Sequence, residues 1–144
     1  TDSNYQLYVE DAAAVAAQDI VVFADADVAC EAPFRFEEVL PQKDMSFSTH
    51  SISASALLDM AHDLFGGTTK AYMLGIRGYA FNEFEEGLSE MASANLDAAA
   101  LFLKEVLTDH KFDEYARNNN IQSAFVTKAK AIQMEYMECK TENT

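Results

Sequence analysis

The chain has 144 residues, 49% of them apolar, which is the size of one ordinary domain with enough apolar material for a single core. Twenty-four acidic residues against ten basic give a net charge of −14, carried almost wholly by residues 1–107. That balance repels phosphate backbones and anionic lipid, so it excludes nucleic acid and membrane surfaces as partners and leaves neutral or basic ones. Cys30 and Cys139 are far apart, in no metal-type spacing and with no disulfide framework, which points to a reducing cytoplasm. No run reaches the roughly 18 apolar residues that a membrane span needs, and the first ten residues lack the regions of a signal peptide.

In chain order, residues 4–10 alternate apolar and polar and predict a half-exposed strand. Alanine-rich residues 10–18 predict a short helix. Ile20, Val21, Val22, Phe23 and Ala24 form a continuous β-branched and aromatic run, which predicts a strand covered on both faces that stops at Asp25, Ala26 and Asp27. After Pro33, residues 34–39 alternate as an edge strand does, and residues 41–48 are loop. Ser53 is placed to cap a helix with an inner stripe of Leu57, Met60, Ala61 and Leu64, and Gly66-Gly67 supplies its left-handed stop.

Residues 70–77 predict a second buried strand, and residues 78–87 a polar, acidic loop. Ser89 is placed to cap a long helix reaching about Leu107, with Ala92, Leu96, Ala99, Leu103 and Val106 inward and Ser93, Asp97 and Lys104 outward. Beyond His110 come a short helical stretch, a break at Asn118, Asn119 and Asn120, and a helix striped by Ile121, Phe125, Ala129, Ile132 and Tyr136. Alternating strands and helices predict an α/β fold: a single domain over residues 1–107, with a mostly parallel sheet and helices on both faces, followed by a helical C-terminal extension over 108–144.

In open parallel sheets ligands bind beyond the carboxyl ends of the strands, where Asp25 and Asp27 fall. Asp25 reads either as a solvated strand end or as an oxygen ligand. His50, in the loop before Ser53, reads either as an exposed histidine or as a nitrogen ligand. A carboxylate and an imidazole suit a borderline divalent ion such as zinc or nickel. Cys30, Glu31, Glu83, Glu85 and Glu86 are candidates for a third ligand, each also readable as a buried small hydrophobe or solvated loop charge. Arg77 suits either a partner's carboxylate or a bridge to the acids at 83–86, whereas His62 and His110 read as surface and tail residues. No nucleophile elbow, phosphate-cradling loop or His-Glu-x-x-His motif is present.

Four segments carry a resemblance: Val21-Val22-Phe23-Ala24-Asp25-Ala26, Phe47-Ser48-Thr49-His50-Ser51, Met73-Leu74-Gly75-Ile76-Arg77-Gly78 and Glu86-Gly87-Leu88-Ser89. In this order and spacing they look like the nickel-iron hydrogenase maturation endopeptidases, over about residues 5–107. The resemblance implies a phosphorylase/hydrolase-like α/β fold. It also implies a cytoplasmic protease that removes a C-terminal peptide from the hydrogenase large-subunit precursor once nickel has been inserted. In that family a Glu, an Asp and a His meet the nickel, which the substrate supplies; Asp25 matches the Asp and His50 the His. Both are thereby implied as catalytic and metal-binding residues; Thr49, beside His50, and Arg77, at the same sheet edge, are candidate substrate contacts.

The family's first strand and its Glu-bearing loop have no counterpart before Tyr5. An unpaired strand edge and pairing with a second copy are therefore expected. Two other readings stand beside this one. One is a non-catalytic binding module for a hydrogenase subunit or its nickel chaperone. The other is a haloacid-dehalogenase-type phosphatase, in which Asp25 would be nucleophile and Asp27 general acid, with magnesium.

Overall fold

The structure, a computed structural model, describes residues 7–43, 53–79 and 90–118. Its elements are α1 (Asp11–Ala16), β1 (Ile20–Asp27), β2 (Phe34–Val39), α2 (Ala54–Phe65), β3 (Lys70–Arg77), α3 (Glu90–Asp109) and α4 (Phe112–Arg117). The expected helix at 121–136, the cap at Ser89, most of the acidic loop and residues 4–6 lie outside the described residues. No described helix is long and apolar enough to cross a membrane.

The three strands form one sheet in the order β1-β3-β2. The amide of Lys70 donates to Asp19 O (2.9 Å) and that of Gly78 to Asp27 O (3.1 Å), so β1 and β3 run the same way. The amide of Arg77 donates to Pro33 O (3.0 Å), setting the end of β3 against the start of β2, an antiparallel pair. Among the described residues the fold is thus α/β with a mixed sheet, where the alternation of elements predicts a mostly parallel one. The reason is local. No helix separates β1 from β2, so residues 28–33 cross the carboxyl end of β3 and β2 returns along its far side.

The described residues fall into two compact units. The first comprises 7–23, 38–43 and 53–73. Its core is Ala12, Val15, Val39, Leu57, Leu58, Ala61 and Ala71. Small residues let α1 lie close to the end of α2: a Cβ on Gly67 would stand 3.2 Å from Ala16 Cα and Cβ. Ser53 caps α2 as its sequence predicts, its side chain accepting from Ala56 N at 3.1 Å. Gly66 ends the helix at φ 65°, a left-handed conformation that glycine adopts without strain. Leu64, expected inward, is 66% exposed, and Leu58 takes its place in the core. Residues 7–10 are turn and irregular backbone rather than strand, because Tyr8 N and O are taken by Asp11 at the start of α1.

The second unit comprises 24–37, 74–79 and 90–118. Phe102 is its centre, with ring centroids 4.7 Å from Phe34, 5.1 Å from Phe36 and 5.6 Å from Tyr115. The buried stripe of α3 is Asn95, Ala98, Ala99, Phe102 and Val106: Ala99 and Val106 lie inward as the sequence predicts, whereas Asn95, Ala98 and Phe102 replace Ala92, Leu96 and Leu103, and Leu96 is 42% exposed. Ser93, Asp97 and Lys104 do face solvent. β1 also departs from expectation. It continues through Asp27 and is half-buried to exposed along its length, because among the described residues β3 is its only strand neighbour.

Candidate functional site

The carboxyl end of β1 and the turn after it carry the chemistry that the structure describes. Asp25 lies inside β1 rather than beyond it and is exposed. Its Oδ1 accepts from Ala26 N at 2.8 Å, and it forms no ion pair with a described residue. With this one partner among the described residues, the exposed carboxylate has lone pairs left for a ligand.

Asp27, two residues on, is the opposite case. Its Oδ1 accepts from Ala29 N (2.8 Å) and Cys30 N (3.2 Å), closing the turn, and its Oδ2 meets Arg35 Nη2 at 3.1 Å. The Ala29 N–H bond outweighs partial desolvation and, with the Cys30 amide and the Arg35 charge, holds the carboxyl below the ordinary aspartate range. The signal the sequence holds for this role is an aspartate at the end of a strand, a turn-forming residue; nothing singles out Arg35. Gly75 makes room for the side chain, since a Cβ there would stand 3.1 Å from Asp27 Oδ2.

Cys30 is 8% exposed, and its Sγ lies 3.7 Å from the carbonyls of Asp27 and Gly75. Burial first, then the neighbouring Asp27 charge, push its thiol above the ordinary cysteine range. At neutral pH it is therefore a protonated, weakly reactive group. Arg77 turns inward to the same turn: its Nη1 donates to Val28 O and, at 2.9 Å, to Cys30 O. Its Cζ stands 5.2 Å from the centre of the Tyr79 ring. Asn95 on α3 ties this end of β3 down, with Nδ2 donating to Arg77 O (3.0 Å) and Tyr79 Oη (3.3 Å). A buried asparagine spaced seven residues from Phe102 is a signal the sequence holds, although an apolar stripe passes over it.

His50 and Thr49 lie outside the described residues, as do Glu83, Glu85 and Glu86; Glu31 is exposed. His62 is less a surface residue than its sequence predicts. Its Nε2 lies 2.8 Å from Thr69 O, which can only accept, so Nε2 carries the proton. Thr69 itself is 2% exposed, its hydroxyl 2.9 Å from Val15 O and 2.7 Å from Gln18 O. His110 is exposed and follows α3 in a left-handed conformation at φ 57°. Among the described residues no three His, Cys, Asp or Glu side chains come together as a metal site. No protein-family model matches the chain, and no curated protein or solved structure matches it either.

Proposed function

We propose that the chain is an endopeptidase of hydrogenase maturation, cutting a C-terminal peptide from a nickel-iron large-subunit precursor in the cytoplasm. Asp25 supplies a carboxylate oxygen and His50 an imidazole nitrogen to nickel carried by that substrate. Nickel is then cargo and signal together: an unloaded precursor presents nothing for the two side chains to grip. A bound divalent ion beside the scissile peptide polarises its carbonyl or lowers the pKa of a water.

The observation that carries this reading is the contrast between the two aspartates. Asp25 is exposed near the carboxyl end of a strand in a parallel pair, with one hydrogen bond among the described residues, whereas Asp27 is engaged by two amides and a guanidinium. The same contrast gives the phosphatase reading no support, because a general acid must hold a proton and Asp27 is kept ionised. In this reading the sheet is a phosphorylase/hydrolase-like one with helices on both faces.

The test is processing of a nickel-loaded precursor by the protein. Asp25→Ala and His50→Ala are each expected to reduce cleavage to background while circular dichroism stays unchanged. Cleavage by either variant at the wild-type rate overturns the assignment. Precursor bound but never cut, by wild type and variants alike, gives the binding-module reading instead.

A further inference from the structure

β1 is an edge strand among the described residues, and its last residues, 24–26, are exposed. A strand end held on one side only is the part of a sheet that peels first. Here it is pinned just past its end. Gly78 N donates to Asp27 O at 3.1 Å, and the Arg77 guanidinium crosses to the carbonyls of Val28 and Cys30. Arg77 is itself fixed from two directions, its amide donating to Pro33 O (3.0 Å) and its carbonyl accepting from Asn95 Nδ2 (3.0 Å). One side chain thus joins the central strand to the turn that follows Asp25. Both bonds leave one terminal nitrogen, whose two N–H groups the planar guanidinium directs at the two carbonyls.

We propose that Arg77 is a positioning residue that locks the turn at 28–30 and, through it, the exposed carboxyl end of β1 bearing Asp25, rather than a group that meets the substrate. The geometry of the lock stands by itself; its consequence for cleavage rests on the reading of Asp25 as a ligand.

Hydrogen exchange followed by mass spectrometry separates the two. Arg77→Ala is expected to speed exchange in a peptide covering 24–30 by about tenfold while peptides from α2 and from 98–106 keep their protection. Arg77→Lys, which keeps the charge and a donor on a shorter stem, is expected to fall between the two. Unchanged exchange at 24–30 in Arg77→Ala overturns the proposal, and so does a rise spread evenly over all peptides, which would mark a contribution to global stability alone. In the processing assay a positioning role lowers kcat, leaves KM near its wild-type value and is partly rescued by lysine; a raised KM at unchanged kcat marks a substrate contact and overturns it. Should the wild-type protein cut no precursor, the functional reading fails and the exchange result still decides this one.

Discussion

Tyr115 shows how much one hydroxyl can record about its surroundings. Its Oη donates to Asp109 Oδ2 at 2.7 Å, and its ring, 7% exposed, stands edge-on to Phe102. The hydrogen bond to Asp109 first, then burial, raise the phenol from 10.0 to about 12. A phenol pKa raised by folding means that the folded protein keeps a proton the unfolded chain gives up. The resulting stabilisation is complete below pH 10 and is lost as pH climbs from 10 to about 12. Urea melts across that window are expected to show falling stability in the wild type. In Tyr115→Phe this part of the decline should vanish, at a cost of about 1 kcal/mol at neutral pH for the lost hydrogen bond. Equal slopes for the two proteins would remove Asp109 as the cause. With six tyrosines in the chain, the difference in phenolate absorbance between wild type and Tyr115→Phe isolates this pKa.

At the scale of elements, what could be read from the sequence depended on how many faces each element has to choose from. β3 and β2 were legible because alternation, or a continuous apolar run, matches their burial as central and edge strand. α2 was legible at its ends, since Ser53 and the Gly66 stop act through the backbone next to them. β1 was not: Val21, Val22 and Phe23 demand apolar company, but which strands supply it is decided far along the chain. α3 has apolar side chains over a wide arc, so two faces compete. The ring cluster of Phe34, Phe36 and Tyr115 selects the one bearing Phe102, which also carries Asn95 inward to its partners at Arg77 and Tyr79. Of the candidate site, Asp25 was legible as a residue, while the pinning of its turn by Arg77 and Arg35 was not, because long side chains leave no periodic trace.

The register of α3 can be tested by a pair of truncations. Phe102→Ala is expected to cost about 3–5 kcal/mol, as large aromatic deletions in cores do. Leu96→Ala should cost under about 1 kcal/mol, since it removes a side chain already 42% exposed. Urea unfolding measures both, and the reverse order would restore the register that the sequence alone predicts. With stabilities of ordinary domains near 5–15 kcal/mol, the phenylalanine variant stands close to unfolding.

For the molecule as a whole, charge sets the terms of stability and association. Ion pairs among the described residues include Arg35 with Asp27 and Glu37, and Lys43 with Asp63. Asp27 apart, their side chains are about half exposed or more, and pairs of that kind contribute little. Against them stands a net charge of −14, whose self-repulsion opposes the compact state. Salt screens long-range repulsion over a Debye length of about 8 Å at physiological strength and less above it. Raising sodium chloride from about 0.02 to about 0.5 M is therefore expected to raise Tm by several degrees, roughly 4 °C for each kcal/mol of repulsion removed. Chloride is the right salt, because sulfate would stabilise by exclusion from the surface whatever the charge. The same screening should weaken binding of a basic partner, so affinity and Tm are expected to move in opposite directions. A Tm that falls with sodium chloride would mean that attractive pairs, not excess acid, dominate the electrostatics of the fold.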